Sequence, residues 1–451
     1  MSDFITKLHR YRDRVALVTE QQQISYGSLL DTIDRLEQVF QQITSGAVVA
    51  VIGDYSAESI AALLALYRKR CIVAPITTKK LLEQQIKVDT LQPDFIVTIG
   101  LQVDVTANLG VTTTNPLIDR LRIKNSAGLV LFSSGSTGKP KAMLHDFERL
   151  LSGYAEQKSR NMAILVLLMF DHIGGLNTLF NALSAGMRII IPSIREPEAV
   201  AELIEKYEVN ILPASPTFLN LLLISGAIDK YNLSSLKLVT YGSEAMPGSL
   251  LVRCKQKFLS VKFLQTFGTS ETGIIKTESR ASDSLDIRFV DNNQSYKIID
   301  GELWLRSEYR IEGYLNQDTS TVEQDGWFRT GDIVEEHLDG YLRIVGRLND
   351  IINVGGEKVF PAEVESCILQ LDEVDTCIVY GADNAITGKT VMANVSLAYG
   401  CDFSTVKRKI KHHCLLYLER FKVPTKINLV ENLAMTDRLK RIKSMCGVNN
   451  E

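Results

Sequence analysis

No apolar run in this 451-residue chain exceeds nine residues, at 162–170, against the roughly 20 needed for a helix to cross a bilayer. No membrane span is expected, and that run reads as a buried strand. The opening MSDFITKLHRYRDR carries charges with no apolar stretch behind them, so no secretory signal is expected. Cysteine is scarce and scattered: Cys71, Cys254, Cys367, Cys377, Cys401, Cys414 and Cys446 are odd in number and contain no CxxC pair. Neither a zinc site nor a disulfide framework follows from that spacing, and a reducing cytoplasm is the expected setting. An excess of one charge is also missing. Fifty Lys and Arg stand against 53 Asp and Glu, a formal charge of −3, which argues against the positive field of a dedicated nucleic-acid binder. There is no internal repeat, no low-complexity tract, and no Ser-His-Asp or Cys-His arrangement to propose as a nucleophile.

What is present is ordinary globular material. Hydrophobic residues make up 45% and charged residues 23%, enough for a large core without staples, and the length suits two to four domains of roughly 100–200 residues. Strand-like and helix-like segments alternate from 47 to 266, the texture of parallel sheets covered by helices. A polar helix is expected from about His145. After about residue 290 the texture changes to hairpins turning on Asp300-Gly301 and Asp339-Gly340, a small antiparallel β subdomain. A third texture, α+β, follows Gly346. The fold class is therefore α/β: a large N-terminal domain at 1–348, including the antiparallel subdomain, and a small C-terminal domain at 349–451. Charge is uneven in the latter, with two Lys and Arg against nine Asp and Glu at 350–402, and eleven against four at 403–451. A solvated helix face explains part of this; a surface that meets a polyphosphate explains the rest.

The sharpest local signal is Phe132-Ser133-Ser134-Gly135-Ser136-Thr137-Gly138-Lys139-Pro140-Lys141-Ala142, directly after an apolar strand. Its glycines turn the backbone so that N–H groups aim at an anion, while hydroxyls add donors and lysines add charge. It is not a Walker loop, because the glycines are three apart and Pro140 follows Lys139. The segment resembles the phosphate loop of the acyl-adenylate-forming superfamily, which includes acyl-CoA synthetases, peptide-synthetase adenylation domains and firefly luciferase. Four further segments in the same order carry the resemblance: Gln265-Thr266-Phe267-Gly268-Thr269-Ser270-Glu271-Thr272; Trp327-Phe328-Arg329-Thr330-Gly331-Asp332; Gly346-Arg347-Leu348-Asn349-Asp350 with Gly355-Gly356-Glu357-Lys358; and Thr436-Asp437-Arg438-Leu439-Lys440.

The resemblance implies that a carboxylic acid is joined to AMP with release of pyrophosphate and then passed to a thiol, using ATP, Mg²⁺ and coenzyme A. Ser134, Ser136, Thr137 and Lys141, on a backbone turned by Gly135 and Gly138, would hold the β- and γ-phosphates. Ser270 would hold the α-phosphate, and Glu271 the metal. Phe267, with Thr266, Gly268 and the backbone of Gly242-Ser243-Glu244, would border the adenine; Phe267 is otherwise a core aromatic. Asp332 would take the ribose hydroxyls, with Arg347 beside it. Lys440 would reach carboxylate and α-phosphate together, although Arg438, Arg441 and Lys443 share its tail. The C-terminal domain would swing as a mobile lid and present the Gly355-Gly356 turn to the pantetheine thiol. Leu439 stands where the family usually has glycine, Asn349 where Asp or Lys is common, and the chain is short for the superfamily.

Substrate choice rests on Phe170-Asp171-His172-Ile173-Gly174-Gly175. Read one way, His172 borders an acyl pocket, as in acyl- and aryl-CoA ligases. Shifted by one, Asp171 matches the carboxylate with which amino-acid-activating domains bind an ammonium. The Gly-Gly pair favours the first reading and a fatty or other acyl acid. The open alternatives are transfer to an acyl-carrier protein through its phosphopantetheine, amino-acid adenylation for a peptide carrier, and a ligase-like protein that binds without turnover.

Overall fold

The computed structural model describes residues 3–77, 80–108, 114–133, 140–290, 293–317 and 325–430. Two seven-stranded sheets form the larger portion. In the first, Val48–Ile52 lies between Ile72–Ile76 and Phe95–Ile99, all parallel, and Gly128–Ser133 runs parallel to Ile72–Ile76. In the second, the strands from Lys262–Gln265 to Val15–Val18 are parallel neighbours. The inner runs Val48–Ile52, Ile72–Ile76 and Ile211–Ala214 are apolar and buried on both faces, as strands covered by helices must be.

The edges depart from the all-parallel expectation. Val103–Ala107 and Gln23–Ser25 run antiparallel to their neighbours, because short turns at 100–102 and 19–22 join them, and only antiparallel strands can be joined so briefly. A further difference bears on function. The helix expected from about His145 is preceded by an unexpected strand, Lys141–Asp146, antiparallel to Gly128–Ser133. Its apolar side chains enter two different clusters, Ala142 and Leu144 in one and Met143 in the other, so no helical stripe is needed. The helix starts only at Phe147, capped by Asp146, whose side chain accepts the Arg149 N–H at 3.1 Å. The apolar run at 162–170 pairs as a strand only over Ala163–Leu165.

Between the sheets lies the helix Ala57–Arg68, with ten of its residues buried. A helix apolar on all sides belongs inside a protein. The Ser56 hydroxyl accepts the Ser59 N–H at 2.9 Å and fixes its start. The antiparallel subdomain is a six-stranded sheet with its own core, including Phe267, Ile287, Leu303 and Leu342. Its hairpin Gln294–Ile299 to Glu302–Ser307 turns on Asp300 and Gly301, both at positive φ, as a two-residue hairpin turn requires. The last unit packs helices Pro361–Ile368 and Phe403–Tyr417 on a five-stranded sheet around a separate cluster from Ile352 to Ile427.

Among the described residues no helix is long and apolar enough to cross a membrane. Leu64, fully buried in the central helix, sets the scale of the core. Leu64→Ala is expected to cost about 2–5 kcal/mol, read as a lowered thermal or denaturant midpoint of the larger portion.

Candidate active site

Residues 134–139 lie outside the described residues, and with them Ser134, Gly135, Ser136, Thr137 and Gly138; so does 431–451, which holds Leu439 and Lys440. The flanks of the loop are defined. Ser133 and Lys141 face each other across the antiparallel ladder, so both ends of the loop are held by buried strands. Asn316 secures the exit: its side chain donates to Pro140 O at 2.8 Å and accepts from Ala142 N at 3.0 Å. Lys141 is thereby gripped from both sides, and its ammonium lies 5.6 Å from the centre of the Tyr314 ring.

Ser270 and Glu271 stand at the tip of a ribbon formed by Phe267–Thr269 and Gly273–Ile275. The Thr269 hydroxyl accepts the N–H groups of Glu271 and Thr272 at 3.2 and 3.1 Å and tightens the turn, the local role that Thr favours. Glu271 O accepts the Ile311 N–H at 2.8 Å, and Glu271 Oε1 accepts the Tyr314 hydroxyl at 2.9 Å. Lys141, Tyr314 and Glu271 thus form one cluster. Gly268 is required, since a Cβ there would come within 2.5 Å of Gly273 O. Phe267 goes elsewhere: it is 8% exposed and packs against Phe289 in the subdomain core. That leaves little of its ring to stack on a base.

Gly242 approaches Thr266 so closely that a Cβ would meet Thr266 Oγ1 at 2.6 Å, and Ser243 takes a left-handed φ of +64°. The Glu244 carboxylate is engaged by the Thr217 hydroxyl at 2.7 Å, so this segment offers backbone. Asp332 and Arg347 are cross-strand partners joined at 3.1 Å. Asp332 is 5% exposed. Burial raises its pKa, and the Arg347 guanidinium opposes that rise. Gly355 and Gly356 form a two-residue hairpin turn at φ +60° and +97°. Beside it is a hollow of about 380 Å³ lined by Ile351, Asn353, Gly356, Thr387, Gly388 and Lys389.

His172 caps the helix Ile173–Ala185, its Nδ1 accepting the Gly174 N–H at 3.2 Å. A neutral ring that accepts at Nδ1 carries its proton on Nε2. Gly175 admits no side chain: a Cβ would lie 1.9 Å from Met169 O. Asp171 points away from His172's role. It is 4% exposed and pairs with the buried Lys87 ammonium at 2.9 Å, and the Thr77 N–H approaches it at 3.4 Å.

Sequence reasoning missed Tyr314, Asn316, Thr269, the Lys87 partner of Asp171, and His145. Gly313–Tyr314 is a two-residue strand, too short for any periodicity, and Lys87 reads as one polar residue of a surface helix. His145 is fully buried beside the backbone of Ser270 and Tyr309, and neither ring nitrogen reaches hydrogen-bond geometry among the described residues. Burial, then the Arg149 charge, push its pKa down to about 4, so the ring under Ser270 is neutral.

With that geometry in place, comparison with known proteins is decisive. A family model described as AMP-binding enzyme matches residues 120–315, and one described as AMP-binding enzyme C-terminal domain matches 363–440. The chain belongs to the AMP-binding enzyme family. It is 28% identical over 395 residues to acyl-CoA synthetase 7 of Caenorhabditis elegans, covering 81% of this chain and 72% of the relative. Indoleacetate–CoA ligase of Aromatoleum aromaticum is 25% identical over 479 residues, covering 94% and 92%. A crystal structure of anthranilate CoA ligase in complex with anthranoyl-AMP superposes with a TM-score of 0.83 at 20% identity, covering 98% of this chain and 96% of that one. The last likeness shows the shared adenylate-forming fold.

The strand Lys141–Asp146 therefore carries a histidine with a pH signature. An unfolded chain takes up a proton as pH falls through about 6.5, the ordinary histidine value. The folded chain refuses it until about pH 4, so His145 adds to stability above that window and loses the contribution as pH falls through it. His145→Met is expected to flatten the loss of thermal stability between pH 6.5 and 4 relative to the unmodified protein. Parallel curves would remove the burial argument.

Proposed function

We propose that this AMP-binding enzyme is an ATP-dependent acid–thiol ligase that converts a carboxylic acid to its acyl-adenylate, with release of pyrophosphate, and then to the coenzyme A thioester. The observation that carries the reading is the meeting of Lys141, Tyr314 and Glu271 at the foot of the phosphate-loop hairpin. The relatives, named as CoA ligases and synthetases, support the same reaction class.

The physical task of the first step is to align a carboxylate with a polyanion. Positioned cations and donors lower that barrier. Ser134, Ser136, Thr137 and Lys141 hold the terminal phosphates, with the backbone at Gly135 and Gly138, and Ser270 holds the α-phosphate. Among the described residues no cluster of three or more His, Cys, Asp or Glu could cage a metal. A single half-buried carboxylate, Glu271, fits Mg²⁺, which commonly takes one or two carboxylates and completes its shell with water and substrate phosphates. Bound there, Mg²⁺ would supply positive charge to offset that of the phosphates. Asp332 accepts the ribose hydroxyls, with Arg347 fixing its Oδ1. Backbone at Gly242, Ser243, Glu244, Thr266 and Gly268 borders the adenine. Lys440 completes the first step from the C-terminal unit, and the Gly355-Gly356 turn then admits the thiol as that unit swings.

The ion pair of Asp171 favours an acyl or aryl acid without an ammonium group over an amino acid, because Lys87 already supplies the cation that an ammonium would bring. His172, with its fixed tautomer, borders that acid. An acyl-carrier protein as acceptor is the close variant. The assay that separates these readings is pyrophosphate release over a panel of fatty, aryl and amino acids, with and without coenzyme A. ATP binding without release for any acid would sink the enzyme reading.

Two variants divide the steps. Lys440→Ala is expected to lower adenylation by about a hundredfold or more, the scale of losing one transition-state donor, while thioester formation from supplied acyl-AMP persists. Equal loss in both steps contradicts the assignment. Gly356→Leu strains a φ of +97° and places a side chain at the turn. Pyrophosphate release should persist while thioester formation falls, and unchanged thioester yield counts against a thiol path there.

A further inference from the structure

We infer that Tyr314 is a positioning residue that turns Glu271 into a one-oxygen ligand for Mg²⁺. The inference rests on the metal assignment of Glu271 made above and adds the group that shapes it.

Tyr314 has little freedom. It is 5% exposed, its backbone pairs with Met143, and the next N–H, of Leu315, bonds to Ala142 O at 2.8 Å. The Lys141 ammonium lies 5.6 Å from its ring centre, a cation–π distance that holds the ring by its face. From this anchored ring the hydroxyl donates to Glu271 Oε1 at 2.9 Å. Glu271 is fixed at its backbone by Ile311, so Tyr314 restrains the far end of a side chain whose near end is already held.

The chemistry follows from which oxygen is used. A carboxylate with both oxygens open can chelate a large cation in bidentate fashion, the mode Ca²⁺ accepts; Mg²⁺ demands a small octahedral shell, with carboxylates on one oxygen each. A hydroxyl on Oε1 leaves Oε2 to face the cation. Partners of this kind, which orient a ligand without touching the metal, typically change metal affinity by about 10–100-fold when removed. Because Lys141 lies against the same ring, one tyrosine sets both the phosphate-binding cation and the metal-binding anion.

The test is equilibrium ATP binding, without acid or coenzyme A, titrated with Mg²⁺, with Ca²⁺, or in excess EDTA. Tyr314→Phe keeps the ring and removes the hydroxyl. The expected result is a rise of about tenfold in the Mg²⁺ concentration for half-maximal binding, a smaller change with Ca²⁺, and unchanged binding in EDTA and thermal midpoint. A Mg²⁺ titration matching the unmodified protein overturns the inference, as does an equal loss in EDTA, which would mark a packing role only. The double variant Tyr314→Phe, Glu271→Asp should bind Mg²⁺-ATP no more weakly than Glu271→Asp alone, since a shortened carboxylate has already left the hydroxyl; additive losses count against it. Glu271→Gln separates the two levels. If it retains the full Mg²⁺ dependence, the metal assignment fails and the inference with it; if it loses that dependence while Tyr314→Phe does not, only the inference fails.

Discussion

Gly313 and Tyr314 pair with Leu144 and Met143, and through this two-residue ladder a segment more than 160 positions away in the chain reaches the strand Lys141–Asp146, which pairs with Gly128–Ser133. So short a ladder would not hold alone. It is reinforced by Glu312 N to Leu144 O at 2.7 Å, Leu315 N to Ala142 O at 2.8 Å, and the Asn316 side chain across Lys141. Arg149 adds a bond to Arg310 O at 2.6 Å and an ion pair with Glu312 at 2.8 Å. Each such bond is worth about 1 kcal/mol. Their sum matters less than their placement, because they fix three side chains from three separate stretches of sequence in one cluster.

How much of this could be read from the residues follows from the range of each interaction. Local chemistry was legible: the Asp-Gly hairpins and the Gly-Gly turn rest on neighbours in sequence. Asp332 meeting Arg347 follows from strand pairing across one turn. Long-range polar partners were not. Asp171 shows no sign of Lys87, 84 positions earlier, and Phe267, read beside a nucleotide, is claimed by the core through Phe289. The strand at Lys141–Asp146 went unread because its apolar residues serve two clusters on opposite faces, which erases the two-residue alternation that marks a half-buried strand.

Three of the buried carboxylates share one arrangement. Asp171, Asp332 and Glu302 are each less than a tenth exposed and each has a cationic partner: Lys87, Arg347 and Arg329. Burying a lone charge is costly, and breaking a buried pair by removing one member is worse than replacing both. Arg347 and Arg329 reach theirs from solvent, with side chains 61% and 49% exposed; Lys87 is itself buried. The pair beside His172 is therefore the most expensive of the three to disturb.

The junction after Arg347 is built differently. Leu348–Asp350 is a single turn with no buried residue, and the unit beyond it has its own core. The hydrogen bond that crosses to it from the helix Pro216–Ile224 runs from Asn220 Nδ2 to Asp375 O at 2.9 Å, a contact that water can replace at about 1 kcal/mol. The steric contact is closer. Phe360 lies over Gly346, where a Cβ would come within 2.9 Å of its ring. A side chain at 346 would wedge Phe360 off the strand and bias any equilibrium between orientations, since a contact shifts such an equilibrium only as far as it differs between the two states. Gly346 is thus needed for Phe360 to pack against this strand.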